Sequence, residues 1–331
     1  MEFLLEKFSK EWIEKYKKAH YKIIGKYLHS AVSLCRWTKS VLRGGKNCYK
    51  KWYGIASHRC IQMTPTLDFC NFSCVFCWRS FSKDRFEHKN GWDDPKTIVN
   101  EAIKAQKELI SGFGGNPKTS KKIFEEANKP MHFAISLDGE PTLYPYLSEL
   151  IKEIKDRGFT VFLVTNGTIP SKLKELLEKD AIPTNLYISV YATNNEDYIK
   201  ITNSLIPNPF EKVVESLKFM KEFEKRNCRT VFRITCVKFI NMYNAEGFSK
   251  LINLSKPMFV ELKGYAWLGE SRKRLGKNNV PSMQDLLDFA KEISSYTGYK
   301  IKATDNNSRV VLLIRDENIL NFIENDSCNK N

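Results

Sequence analysis

Apolar positions along the chain follow two alternating rhythms. Short runs rich in β-branched and aromatic residues occupy 61–67, 131–137, 159–165, 185–190, 230–237 and 259–262, the signature of buried strands. Between them, apolar residues return every three or four positions over 95–110, 145–157, 171–179, 209–225, 245–254 and 282–296, which predicts helices. Strand and helix in alternation build right-handed βαβ units around a parallel sheet. About six units, followed by an extra strand at 309–314, predict an α/β fold of the partial (β/α)6 TIM-like barrel kind. Upstream, Leu4, Phe8, Trp12 and Tyr16, continued by Ala19, Ile23 and Tyr27, predict an amphipathic helix over 3–28. Residues 34–60, with Gly44, Gly45 and Gly54, read as an irregular segment wrapped around something that anchors it. No internal repeat or low-complexity linker interrupts the pattern.

Composition narrows the class. Of 331 residues 42% are hydrophobic and 12% aromatic, as in a globular protein, and no run approaches the roughly 18 apolar residues of a membrane span. The start of the chain is charged, with Glu6, Lys7, Lys10 and Glu11, and unlike a signal peptide. A cytoplasmic protein with no membrane association is expected. Net charge is +15, and residues 1–65, with 14 Lys/Arg against 4 Asp/Glu, carry +10 of it. The same stretch interleaves Trp12, Tyr16, Tyr21, Tyr27, Trp37, Tyr49, Trp52 and Tyr53. Basic and aromatic residues together suit a phosphate backbone with stackable bases, although charge runs are more often solvated faces.

Nine cysteines are many for a compartment that disfavours disulfides, and six of them, Cys35, Cys48, Cys60, Cys70, Cys74 and Cys77, fall within 43 residues. Such clustering points to metal. Directly after the first predicted strand, Cys70-Asn71-Phe72-Ser73-Cys74-Val75-Phe76-Cys77 places three thiolates on one short loop. Four cysteines normally complete a [4Fe–4S] cluster, so three leave one iron open to an amino and carboxylate chelator. The alternative is zinc closed by a histidine, with His58 and His88 available, but the x3-x2 spacing differs from paired C-x2-C knuckles. Cys228, Cys236 and Cys328 are scattered and read as packing residues.

The loop resembles the signature of the radical S-adenosylmethionine superfamily. That resemblance implies that the open iron binds the methionine end of S-adenosylmethionine and that Phe76 contacts its adenine. Two later strand ends agree. Gly139-Glu140-Pro141 is similar to the superfamily motif that receives the cofactor's amino group, and Thr165-Asn166 stands where parallel strands present ligand contacts. Each alone would be an ordinary glycine turn.

Cys35, Cys48 and Cys60, at intervals of 13 and 12, fit no common zinc spacing. From the residues alone they are either buried thiols or ligands of a second cluster. A wider match, over roughly 35–313, resembles the archaeal-type 4-demethylwyosine synthases. It is carried by Cys48-Tyr49-Lys50 with Trp52-Tyr53-Gly54-Ile55, by Cys74 through Arg79, by Gly139 through Pro145, and by Val260-Glu261-Leu262-Lys263-Gly264-Tyr265.

The resemblance implies a radical lyase with two [4Fe–4S] clusters, the second held by Cys35, Cys48 and Cys60, and a Schiff base between Lys50 and pyruvate. Lys51 is a competing candidate on sequence alone. It further implies that N1-methylguanosine, 3′ of the anticodon in phenylalanine tRNA, condenses with two carbons of pyruvate into a tricyclic base. The anticodon stem-loop would be held by the basic N-terminal region and by Arg272-Lys273-Arg274 with Lys277, nearby aromatics stacking unpaired bases. A flavodoxin-like domain fused to eukaryotic relatives is missing here, so a separate reductant such as ferredoxin or flavodoxin is expected, and the chain should act as a monomer. On this reading residues 1–60 form a basic extension with the second cluster's ligands, 61–315 the barrel and 316–331 a tail. Where relatives often carry Pro-Ser-His, this chain has Pro281-Ser282-Met283. The rival readings are another radical enzyme with an auxiliary cluster, or a non-catalytic zinc-binding RNA module.

Overall fold

A computed structural model describes residues 10–81 and 91–317. Leu4, Phe8, His88 and Cys328, like the tail beyond 317, lie outside the described residues. Two units divide the chain, Met1–Phe69 with Asp84–Leu163 and Cys70–Lys83 with Val164–Asn331.

In the first unit, α1 (Lys10–Lys18) leads into a hairpin of β1 (Lys22–Ile24) and β2 (Ser30–Val32). The single helix expected over 3–28 therefore stops early. His20 takes a left-handed φ of 60°, and Ile23 belongs to a strand, because a stripe of alternating apolar residues serves a strand as well as a helix. The buried face of the helix still does the expected work, with Tyr16, Tyr21, Ala31, Leu67 and Leu137 forming one apolar cluster under Trp12 and Ile23. The segment read as irregular contains a short helix, α2 (Arg36–Leu42), besides two 3-10 turns, Tyr49–Tyr53 and Ser57–Arg59. Its anchor is a second cluster of Leu34, Leu42, Ile110 and Ala127.

Next comes β3 (Cys60–Thr64), followed by α3 (Pro95–Ile110), capped by the Asp94 carboxylate, and α4 (Lys121–Ala127), which the apolar pattern did not reveal. β4 (His132–Ile135), α5 (Leu147–Asp156) and the first four residues of β5 (Thr160–Thr165), up to Leu163, complete the unit, and the end of β5 belongs to the second. β1, β2 and β3 pair antiparallel, whereas β3, β4 and β5 run parallel, with Cys60 opposite His132 and His132 opposite Thr160.

The second unit alternates α6 (Pro170–Glu178), β6 (Asn185–Val190), α7 (Asn195–Thr202), α8 (Pro209–Lys218), α9 (Met220–Lys225), β7 (Arg229–Cys236), α10 (Ala245–Ser255) and β8 (Phe259–Gly264). The helix expected over 209–225 is broken at Phe219 into α8 and α9. After α11 (Met283–Thr297), whose N-cap Ser282 forms a capping box with Asp285, the chain closes with β9 (Lys300–Asp305) and β10 (Val310–Ile314). β6, β7 and β8 are parallel, and β10 lies antiparallel between β8 and β9. All six residues of β6 are buried, as expected of a parallel strand covered on both faces.

Candidate functional site

In the first unit three thiols come from three different elements. Cys35 is the N-cap of α2, where its Sγ accepts from the Thr38 amide at 3.3 Å. Thr38 in turn donates from Oγ1 to the Ser57 carbonyl at 2.8 Å, and the Ser57 hydroxyl accepts from the Cys48 amide at 2.8 Å. Cys48 is thereby fixed at the start of the first 3-10 turn, and Cys60 opens β3. The Cys60 thiol is pushed up to about 12, first by burial and then by the charge of Cys35, while Lys50 opposes the shift and Cys48 adds to it. All three thiols and the Lys50 ammonium thus share one local field.

Lys50, two residues beyond Cys48, is half-buried, with Nζ 5.4 Å from the centre of the Phe162 ring on β5, whereas Lys51 is exposed. The two lysines that compete on sequence alone thus differ in surroundings, Lys50 packed beside a core ring and Lys51 open to solvent.

Four of the aromatics interleaved with the N-terminal charges, Tyr16, Tyr21, Tyr49 and Tyr53, are buried, and the Trp12 indole donates to Asp68 at 3.0 Å. They pack the fold and do not offer rings to bases, which corrects the expectation for these side chains.

The motif Gly139-Glu140-Pro141 also lies in this unit. Gly139 has φ 66°, and a Cβ there would drive into the carbonyl oxygens of Thr66 and Phe69, so only glycine fits. The Glu140 amide donates to the Phe69 carbonyl at 2.7 Å, while its carboxylate accepts from the Thr142 amide at 3.0 Å and the Thr142 hydroxyl at 2.6 Å. A buried carboxylate held this firmly is a preorganised acceptor for an ammonium group.

The second unit carries the compact cysteine loop. Its backbone is sewn to the end of α7, Ser73 N–H donating to the Thr202 carbonyl at 2.7 Å and Val75 N–H to that of Ile201 at 2.9 Å. Asn71, nearly fully buried, ties the loop to the end of β5: its amide nitrogen donates to Thr168 Oγ1 at 2.6 Å and its oxygen accepts from Asn166 at 2.7 Å. The oxygen of Asn166 accepts from the amide and hydroxyl of Thr168, and Thr165 Oγ1 accepts from the Gly167 amide at 3.0 Å. Arg274 clamps the far side, its guanidinium donating to the carbonyls of Val75 at 3.1 Å, of Cys77, and of Arg79 at 3.4 Å. Asn71 carried no signal of its own in the sequence, and Arg274, noted there only as part of a basic run expected to hold RNA, is found bonded to the cysteine loop.

Within the loop the Cys74 thiol is pushed well above its ordinary value by burial and then by the neighbouring charges of Cys77 and Cys70, with Arg274 acting in the opposite direction. Phe76 packs against Tyr191 at a centroid distance of 5.1 Å.

Among the described residues, no three His, Cys, Asp or Glu side chains are drawn in tightly enough to surround a single metal ion. Zinc would hold its sulfurs about 3.8 Å apart, from bonds of about 2.3 Å in a tetrahedron. Each set instead supplies three soft thiol donors that interact electrostatically, and the burial that disfavours a free thiolate at Cys60 and Cys74 is reversed when iron takes the proton's place. The donor sets fit [4Fe–4S] clusters.

Two family models match adjoining stretches, the radical SAM superfamily over residues 121–252 and wyosine base formation over 254–315. A tRNA 4-demethylwyosine synthase of Pyrococcus horikoshii, dependent on S-adenosyl-L-methionine, is 48% identical over 313 residues, covering 93% of this chain and 90% of that one. The chain belongs to the S-adenosyl-L-methionine-dependent tRNA 4-demethylwyosine synthase family. Among solved structures, that of TYW1 with a lysine-pyruvate adduct bound superimposes with a TM-score of 0.82 at 34% identity, over 92% of this chain and 95% of that one. An archaeal TYW1 crystal structure gives 0.74 at 32% identity, with the same coverage. The mixed α/β fold with parallel strands is the one expected, and membership of the radical SAM class brings S-adenosylmethionine and one [4Fe–4S] cluster. No described helix is long and apolar enough to cross a membrane.

Proposed function

We propose that the chain is a tRNA 4-demethylwyosine synthase, condensing N1-methylguanosine 3′ of the anticodon in phenylalanine tRNA with two carbons of pyruvate. Cys70, Cys74 and Cys77 hold the cluster that binds S-adenosylmethionine, and Cys35, Cys48 and Cys60 hold a second. Bound together, the first cluster and S-adenosylmethionine supply a 5′-deoxyadenosyl radical for hydrogen abstraction.

The chain's own residues bind and orient. Gly139, Glu140 and Pro141 receive the cofactor's ammonium through a carboxylate already immobilised by Thr142. Phe76 would contact the adenine, and Thr165 and Asn166 at the end of β5 would contact the cofactor, Asn166 being held by the network that fixes the cysteine loop. Lys50 attacks the keto carbon of pyruvate, releases water and holds the acid as a Schiff base. The Phe162 ring keeps water from one side of its amine. The observation that carries this reading is the company of Lys50, which sits within the field of the Cys35, Cys48 and Cys60 thiols while Lys51 faces solvent. A relative whose structure contains a lysine-pyruvate adduct supports it.

Residues 1–60 serve as the basic extension bearing the second cluster, 61–315 as the catalytic barrel and 316–331 as a tail. Electrons come from a separate ferredoxin- or flavodoxin-like donor to a cytoplasmic monomer. The test is an anaerobic reaction of reconstituted protein with N1-methylguanosine-containing phenylalanine tRNA, S-adenosylmethionine, dithionite and carbon-labelled pyruvate, followed by mass analysis of nucleosides. Two labelled carbons in a tricyclic guanosine are expected. Formation of 5′-deoxyadenosine over unchanged tRNA would reject the substrate assignment.

A further inference from the structure

Two tryptophan–arginine stacks stand in the second unit outside the residues assigned above to cluster and cofactor. Trp78, the residue after the last cysteine of the loop, is 45% exposed, and the Arg79 guanidinium lies 4.5 Å from its ring centre. Trp267, beyond β8, is capped in the same way by Arg272 at 4.9 Å. The two stacks come from segments nearly two hundred residues apart, yet the backbone locks them together. Glu270 N–H donates to the Trp78 carbonyl at 2.9 Å, and Gly269, at φ 52°, packs so closely on that carbonyl that a Cβ would collide with it. The Trp267 ring is itself fixed by its indole N–H on the Leu275 carbonyl at 2.9 Å, and Arg272 by Nε on the Trp267 carbonyl at 3.1 Å.

We propose that Trp78, Arg79, Trp267 and Arg272 form a rigid stacking platform for unpaired RNA bases flanking the modified guanosine. The inference rests on tRNA being the substrate and deepens that reading. A guanidinium over an indole has one face engaged by the ring and can offer its other face to a base. Lys273, between them, pairs with Glu270 at 2.9 Å, and Arg274 is committed to the cysteine loop. The run 272–274 is thus arranged for stacking and internal bonding, and the charge it presents beside the exposed Trp78 ring and the half-buried Trp267 ring matches single-stranded RNA, whose bases are splayed and whose backbone is anionic.

The test is equilibrium binding of two fluorescent RNAs by the full chain over a salt series, the phenylalanine tRNA anticodon stem-loop and a fully paired duplex of equal length. Trp78→Ala and Trp267→Ala should each weaken the stem-loop by about 5- to 150-fold, the range of stacking losses. The dependence of affinity on salt and the affinity for duplex should not change. Trp78→Phe should recover most of the loss, and Trp78→Leu, which keeps apolar bulk without a ring, should not. Unchanged stem-loop affinity would overturn the platform. So would equal losses for both RNAs with a shallower salt slope, which mark a phosphate contact. If the parent chain itself does not prefer the stem-loop to the duplex, the tRNA reading fails and the platform with it.

Discussion

The two sets of cysteines are assembled in opposite ways. Cys70, Cys74 and Cys77 sit on one eight-residue loop, clamped by Asn71 on one side and Arg274 on the other. Cys35, Cys48 and Cys60 come from a helix cap, a 3-10 turn and a strand end, brought to one field by a relay from Thr38 through Ser57. The first is preorganised by local geometry and the second by tertiary packing. Lys50 stands with the second set among the described residues, as the proposed division between a cofactor-binding loop and a keto-acid site requires.

Cys74→Ala breaks the comparison most severely. Formation of 5′-deoxyadenosine should fall below detection, more than about 1,000-fold, because the radical source is lost. Cys48→Ala should retain that activity within roughly tenfold while abolishing the tricyclic product, as followed by chromatography of both products. Equal loss of both activities in the two variants would erase the distinction.

Lys50→Ala sharpens it at the level of one side chain. Product should fall by about 100-fold or more, and borohydride should no longer trap labelled pyruvate on the protein, whereas Lys51→Ala should stay within about twofold of the parent. Smaller still is the effect of Gly139→Ala, whose new methyl has no room beside the Thr66 and Phe69 carbonyls. It should cost about 2–4 kcal/mol in denaturant unfolding and weaken S-adenosylmethionine binding measured by equilibrium dialysis. The least severe is Asn71→Ala. Loss of its buried bonds to Thr168 and Asn166 should cost about 1–3 kcal/mol and accelerate iron release from the loop to a chelator, leaving release from the other set unchanged.

What was legible in the sequence follows the same division. Strands β3 to β8 and the helices 95–110 and 245–255 could be read because their apolar periodicity is local. The helix over 3–28 was overextended because Ile23 and its neighbours fit either period, and only the turn at His20 decides. Short α4 and α7 left too few turns to register. The compact loop announced itself by spacing, whereas the wider set was assigned only through resemblance, since its convergence depends on contacts no spacing rule encodes. Asn71 finds Asn166 and Thr168 95 and 97 residues away, and Arg274 reaches Val75 across 199, so neither set of contacts could be read before folding.

Counting iron tests the central claim most directly, that two separate sets of thiols each hold a cluster. Anaerobically reconstituted parent chain should contain about eight irons and eight sulfides, and a chain with Cys35, Cys48 and Cys60 all replaced by Ala should contain about four, as should one lacking Cys70, Cys74 and Cys77. Four irons in the parent, or stoichiometric zinc in a colourless protein, would contradict it.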